Sequence, residues 1–237
     1  MTVRFEAVFF DVGNTLIHPE PSVAHVCAQV LDSAGHVPDL AAITALMPLV
    51  DQYYEDRYAE DDTFWTTDEG TSSVWVGMYS MMWRELGIPE AEAAGLGRAV
   101  YDQFGFASRW APFPDVVPEF RRLRDAGVKV GIVSNWDSRL SGVLDGIGLG
   151  ELVDTVVCSA SVGIHKPDPR IFGLACERLG VAPAVCAHVG DHLFADVAGA
   201  RAAGMTPVLI DRSGASGETA GGVARIVTLD ELEGALS

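Results

Sequence analysis

Three short polar stretches in this sequence each follow directly on a predicted strand. Asp11 closes Ala7-Val8-Phe9-Phe10, Ser134-Asn135 close the run from Val128 to Val133, and Gly190-Asp191 close the run from Val185 to Val189. A fourth polar candidate, Lys166, lies in the loop after the run from Val153 to Cys158. Brought to one edge, these residues place two carboxylates, a hydroxyl, an ammonium and turn N–H groups around one point. Two carboxylates repel each other, so a cation is expected between them. Oxygen donors with few nitrogens and no useful sulfur suit Mg²⁺. Each residue also has an ordinary use taken singly. A strand-end Asp is often a helix cap or turn former. Ser-Asn is common turn chemistry, and Lys-Pro-Asp-Pro can be only a rigid helix entrance. Their order and common edge carry the chemical reading.

The elements that must hold them are legible in the apolar periodicity. Ala7 to Phe10 is short, continuous and apolar, as in a strand buried on both faces. Helices follow from Ser22, as cap, to near Gly35; from after Asp39 towards Glu60, with a kink or break at Pro48; from Ser72 to Leu86; and from Ala91 to Phe104. No strand is expected between Ser22 and Phe106. Alternation then begins: helix 118–126, strand 128–133, helix 138–147, strand 153–158, and a helix opened by Asp168-Pro169 and running to Leu179. Strand 185–189, helix 195–203, strand 206–210 and helix 229–236 complete the chain. The Gly/Ser-rich stretch from Ser213 to Gly222 reads as a loop. Strand–helix units of this length predict an α/β fold, a parallel sheet with helices on both faces. In such a sheet ligands bind beyond the carboxyl ends of the strands. The all-helical block is therefore an insert: residues 1–17 and 109–237 form the core and 18–108 a helical cap. The insert is rich in Trp, Tyr and Met, which can pack its own core or wall a substrate pocket.

Composition narrows the function classes. The chain has 237 residues, 49% of them apolar, enough for a substantial core. Its net charge of −17, from 33 acidic and 16 basic residues, argues against nucleic-acid binding. A small anionic substrate held by a local cation remains compatible with it. No apolar run reaches the roughly 18 residues of a membrane span, and the N-terminal residues lack signal-peptide features. Four scattered cysteines without a C-x-x-C pair read as buried free thiols of a reducing cytoplasm.

The ordered set Asp11-Val-Gly-Asn-Thr15-Leu16, Ser134-Asn135, Lys166-Pro167 and Gly190-Asp191-x-x-x-x-Asp196 resembles the four motifs of the haloacid dehalogenase-like (HAD) superfamily. The insert matches the position of that family's helical C1 cap over a Rossmann-like core. The segments Ser134 to Arg139 and Gly163 to Phe172 are most similar to its rhythmically expressed-type branch. The resemblance implies a hydrolase acting on a small phosphorylated metabolite. Asp11 is then the nucleophile that forms an aspartyl phosphate. Mg²⁺ sits among Asp11, the Gly13 carbonyl and Asp191, with Asp196 in support. Ser134 bonds a phosphate oxygen, and Lys166 neutralises nucleophile and phosphoryl oxygens. N–H groups near Asn14, Thr15 and Asn135 complete the cradle. Oligomeric state and substrate identity stay open.

One position departs from the resemblance. Phosphatases of the family carry a second Asp two residues after the nucleophile, where this chain has Gly13. Three readings follow. One is a phosphohydrolase with its acid/base displaced to His18 or His192, since histidine titrates near neutrality. Another is a different reaction: dehalogenases also lack that Asp but need no metal, which conflicts with Asp191 and Asp196, and phosphonatases need a cap lysine, absent here because the only lysines are Lys129 and Lys166. The third is a slow or non-catalytic protein that binds metal and anion, with Trp65, Trp75 and Trp83 on the cap as a partner surface.

Overall fold

The computed structural model describes residues 5–214 and 222–236. In chain order it contains β1 (Ala7–Phe10) and β2 (Ile17–Pro19), then five helices: α1 (Val23–Ser33), α2 (Leu40–Ala45), α3 (Met47–Glu60), α4 (Asp68–Glu85) and α5 (Glu90–Gln103). β3 (Trp110–Pro112), α6 (Val116–Asp125), β4 (Lys129–Ser134), α7 (Leu140–Gly146), β5 (Thr155–Cys158), α8 (Ser159–Val162) and α9 (Pro169–Leu179) follow. The described chain ends with β6 (Cys186–Gly190), a π-helical turn over Leu193–Ala198 that runs into α10 (Gly199–Ala202), β7 (Thr206–Ile210), β8 (Ala224–Ile226) and α11 (Leu232–Ala235).

Six strands form one sheet in the order β5-β4-β1-β6-β7-β8, every pair parallel. β1 is apolar throughout because both of its faces are covered. Val8 and Phe10 join Ile132, Val189 and Phe120 on one side, while Ala7 and Phe9 join Val133, Val157 and Phe172 on the other. The chain leaves β1 towards β4 and β5 and returns on its opposite side to β6. That reversal opens a crevice at the carboxyl end of β1.

The helical insert lies between β2 and β3, which pair antiparallel, Ile17 opposite Pro112 and Pro19 opposite Trp110. The two crossings between sheet and insert thus run side by side. α1 to α5 bury a cluster of their own around Val26, Ile43, Met78, Met82 and Trp83. Local capping sets their ends. Asp39 accepts from the Ala42 N–H at 3.0 Å, and α2 stops before Pro48, which occupies the first turn of α3. Ser22 holds the N-cap position of α1, but its hydroxyl meets His25 Nδ1 at 2.7 Å instead of a backbone N–H.

The structure differs from the sequence expectation in detail. α4 begins at Asp68 and not at Ser72, because Thr67 caps it by accepting from Gly70 N at 3.0 Å. Its polar first turn hid that start from apolar periodicity. β2, β3 and β8 have three residues each, too short to show a period. Of the loop expected over Ser213 to Gly222, residues 215–221 lie outside the described residues. The four cysteines are buried and free, and Cys176 meets Cys186 across α9 and β6 at 3.8 Å.

Candidate active site

Register brings the polar strand ends level. Phe10 faces Ile132 on one side and Val189 on the other, so Asp11, Ser134 and Asp191 emerge together at one edge. The Asp11 N–H continues the ladder to Val189 O at 2.9 Å. Lys166 arrives from the loop before α9 and is 2% exposed. Its Nζ donates to Asp11 Oδ1 and to Asp196 Oδ1, each at 2.6 Å. Ser134 Oγ donates to the same Asp11 Oδ1 at 2.9 Å. Among the described residues, Oδ2 of Asp11 receives no hydrogen bond. Asn135 fixes the lysine loop reciprocally: its Nδ2 donates to Lys166 O at 3.0 Å, and its Oδ1 accepts from Lys166 N at 2.7 Å.

Asp196 is buried and more heavily bonded. Oδ1 also accepts from His188 Nε2 at 2.8 Å, and Oδ2 accepts from the His192 N–H at 3.1 Å. Burial alone would raise its pKa, but Lys166 and His188 hold the carboxyl well below the usual carboxylate range. Gly190 makes this approach possible, because a Cβ there would lie 2.2 Å from Asp196 Cγ. Lys166 is likewise opposed by burial, yet Asp11 and Asp196 keep it firmly protonated. Asp191 retains exposed surface at the mouth of the site. Loss of water contact first, and then repulsion by Asp11 and Asp196, push its carboxyl up to about 7.

This donor set could hold a hard divalent cation. Asp11, Asp191 and Asp196 each offer an oxygen, and the three oxygens lie within 4.8 Å of one another. One ammonium among three carboxylates leaves a negative excess, which adds to the loss of water contact in raising the Asp191 pKa. Because both Asp196 oxygens already accept hydrogen bonds, Asp11 and Asp191 are the better placed to face a cation.

The other expected residues distribute unevenly. Gly13 and Asn14 line the same cavity as Asp11. Asn14 adopts a left-handed φ of 54°, which Asn tolerates better than most residues. Its N–H is spent on Ile17 O at 2.9 Å, so that turn closes on itself. Thr15 is fully buried and its hydroxyl has no partner in the structure. His192 lines the cavity, and its Nδ1 accepts from the N–H groups of Phe194 and Ala195 at 3.2 and 3.0 Å. In the neutral ring that places the proton on Nε2. His18 sits in β2 with its ring 4.9 Å from Phe113 and outside the cavity lining. His188 escaped the sequence reading. Its signal is a histidine inside an apolar strand, where an unpaired polar ring is costly.

Above the strand ends lies a cavity of about 620 Å³ walled by both insert and core. The segment after β4 ties the two together. Tyr101 Oη donates to Asp137 Oδ2 at 2.9 Å, while Arg139 donates to Asp137 Oδ2 at 2.6 Å and to Tyr101 O at 3.0 Å. The Ser138 N–H and hydroxyl both donate to Asp68, at 2.7 and 2.6 Å.

A parallel sheet with this insert and this carboxylate–lysine centre defines a class of hydrolases, and comparison agrees: the family model for haloacid dehalogenase-like hydrolases matches residues 5–204, and the chain belongs to that family. It is 38% identical over 137 residues to haloacid dehalogenase-like hydrolase domain-containing protein 3 of Bos taurus, covering 57% of this chain and 55% of that protein's length. It is 29% identical over 217 residues to the glyceraldehyde 3-phosphate phosphatase of Methanopyrus kandleri, covering 87% and 84% of the two chains. Among solved structures, the magnesium-bound HAD-hydrolase YfnB of Bacillus subtilis superposes with a TM-score of 0.81 at 18% identity, over 98% of this chain and 99% of that one. Among the described residues no helix is long and apolar enough to cross a membrane.

Proposed function

We propose that the protein is a Mg²⁺-dependent phosphatase of small phosphorylated metabolites, working through an aspartyl phosphate on Asp11. The observation that carries this reading is the buried Lys166 ammonium bridging Asp11 and Asp196 beside Asp191. A similar protein is described as a phosphatase of glyceraldehyde 3-phosphate, which supports phosphoryl chemistry. Mg²⁺, held by Asp11, the Gly13 carbonyl and Asp191, would supply charge neutralisation at the phosphoryl oxygens.

The chain's own groups do the rest. Lys166 and Ser134 grip one oxygen of Asp11 and so orient its carboxylate towards the cavity. The nucleophile's oxygen bonds phosphorus as the bond to the leaving oxygen breaks. Water then cleaves the acyl phosphate and restores Asp11. Ser134 and Asn135 face the phosphate, and Lys166 offsets its charge. The insert over residues 18–108 acts as the cap that excludes water from this step. The likeness of Ser134 to Arg139 and of Gly163 to Phe172 to the rhythmically expressed-type branch supports a reading of the chain as nearest to that branch.

The first motif is atypical in this reading, because Gly13 offers no proton to the leaving group. A Cβ at Gly13 would sit 3.4 Å from Trp136 Cζ3, at ordinary contact, and its φ is not left-handed. The backbone at Gly13 therefore admits a Cβ. Of the two displaced candidates, His192 lines the cavity with a proton on Nε2, and His18 does not line it. The test is Mg²⁺-dependent phosphate release from acetyl phosphate and sugar phosphates, with Asp11→Asn and Gly13→Asp alongside. Asp11→Asn abolishes release. Gly13→Asp raises turnover of alkyl phosphates by about 10²-fold, the lower end of general-acid catalysis. Release that survives Asp11→Asn removes the mechanism. A folded wild type that binds metal but releases nothing favours the non-catalytic alternative.

A further inference from the structure

We infer that the leaving group of the substrate is a neutral aromatic alcohol, so that the protein is an aryl phosphatase. This rests on the phosphatase reading and deepens it. Two independent observations meet at one place, the wall of the cavity beside Gly13.

The first is the wall itself. An unbroken run of ring contacts starts at Trp136, whose edge stands over Gly13, and passes into the insert. Trp136 meets Trp110 at 5.0 Å, Trp110 meets Phe104 at 5.5 Å, and Phe104 stacks on Tyr79 at 6.4 Å. Tyr79 meets Trp75 at 6.4 Å, and Trp75 meets Tyr54 at 6.2 Å. All six rings line the cavity. Such a surface stacks on a planar apolar group.

Charge sharpens the choice. The lining also includes Asp51 and Glu55 of α3. Its guanidinium, Arg139, is bound to Asp137 and lies 3.8 Å from the Tyr101 ring centroid. Lys166 is bound to Asp11 and Asp196. Among the described lining residues no cation is left for a second anionic group, so a carboxylate or second phosphate on the leaving group is repelled.

The second observation is chemical. Gly13 offers the leaving oxygen no proton, and His192, the histidine in the lining, is the remaining candidate to supply one, so a leaving group that needs little protonation is favoured. A phenol has a pKa near 10, so its anion departs far more readily than an alkoxide. In the balanced step the Asp11 oxygen bonds phosphorus while the P–O(aryl) bond breaks. The electron pair stays on the aryloxide, which takes its proton from solvent. Water then adds to the phosphoryl group, giving inorganic phosphate and the free Asp11 carboxylate. The apolar wall and the missing acid therefore select the same class of substrate.

The experiment compares kcat/KM, with Mg²⁺, for 1-naphthyl phosphate, 4-carboxyphenyl phosphate, cyclohexyl phosphate, glucose 6-phosphate and acetyl phosphate. Naphthyl phosphate is expected to exceed glucose 6-phosphate and cyclohexyl phosphate by about 10²-fold or more, since both lack an aryl leaving group. The carboxyphenyl ester is expected to fall roughly 10-fold below naphthyl phosphate, the scale of one unpaired charge. Comparable rates on glucose 6-phosphate, or no penalty for the carboxylate, overturn the inference and leave the phosphatase reading standing if acetyl phosphate is hydrolysed. Failure on acetyl phosphate as well overturns both. A Trp75→Leu protein keeps apolar volume and loses the ring. Its KM for naphthyl phosphate is expected to rise about 10-fold relative to its KM for acetyl phosphate. An unchanged ratio of the two KM values counts against the aromatic seat.

Discussion

Asp191 stands where three negative groups crowd one end of the sheet, and its protonation should be visible in stability. Its pKa in the folded protein is pushed up to about 7, above the ordinary carboxylate value of 3.8. The folded state therefore holds a proton that the unfolded chain gives up. This contribution is complete below about pH 4 and is lost as pH rises through about 7. Metal-free protein should lose melting temperature between pH 5 and 7.5, by about a few degrees. Added Mg²⁺ should recover it at the upper end, and Asp191→Asn should flatten the slope and remove the Mg²⁺ response. A wild-type Tm independent of both pH and Mg²⁺ in that window would contradict the charge crowding described for the site. Asp196 behaves oppositely. Its depressed pKa, set by Lys166 and His188 against burial, keeps its contribution until the medium is more acidic than an ordinary carboxylate pKa.

At the scale of elements, the segment after β4 has two duties. It carries Ser134 and Asn135 into the site, and three to five residues later it holds the insert through Asp137, Ser138 and Arg139. Tyr101→Phe removes one hydrogen bond to a buried carboxylate that Arg139 still pairs. We expect a stability loss of about 1–2 kcal/mol by urea unfolding. KM should rise more than kcat falls, because the cavity wall loosens while Asp11, Lys166 and Ser134 stay in place. A fall in kcat with KM unchanged would show that this contact serves the chemical step and not closure. β2 and β3 place both chain crossings in one narrow ribbon, a geometry suited to an insert that moves as a unit.

For the molecule as a whole, net charge opposes the function proposed for the site. At −17 the protein repels a phosphate dianion at distance, and Lys166, outnumbered by Asp11, Asp191 and Asp196, would offset this locally only with a cation bound among them. Raising ionic strength from about 10 mM to about 150 mM shortens the Debye length from about 30 Å to about 8 Å. With Mg²⁺ saturating, kcat/KM for a phosphate ester should rise by about 2- to 5-fold over that range. A fall instead would mean that the cavity mouth attracts anions over the repulsion of the whole surface. The same acidity leaves Asp51 and Glu55 on the cavity wall without an uncommitted lysine or arginine in that lining, which ties the global charge to the leaving-group preference inferred above.

Much of this arrangement is legible in the sequence alone. The alternation after residue 110, the apolar run Ala7–Phe10 and the cap Asp168-Pro169 are local signals, because strand burial and helix capping depend on neighbours a few residues apart. The order Asp11, Ser134, Lys166, Asp191 implied one edge, since a parallel sheet presents all its carboxyl ends together. Short β2, β3 and β8 escaped, as did the start of α4, because three residues cannot show a period and a polar first turn has no apolar face. His188 escaped because only packing reveals that its ring meets Asp196. By itself the sequence determined the types of the longer elements, the existence of an insert and the chemical residues at the strand ends. The tertiary structure alone decided which oxygen of Asp11 is gripped, that the Asn14 N–H is already spent, that Cys176 and Cys186 are neighbours, and that the insert's aromatic rings form one wall beginning at Gly13. Those outcomes depend on contacts between residues far apart in the chain, which chain-local patterns of burial and charge do not encode.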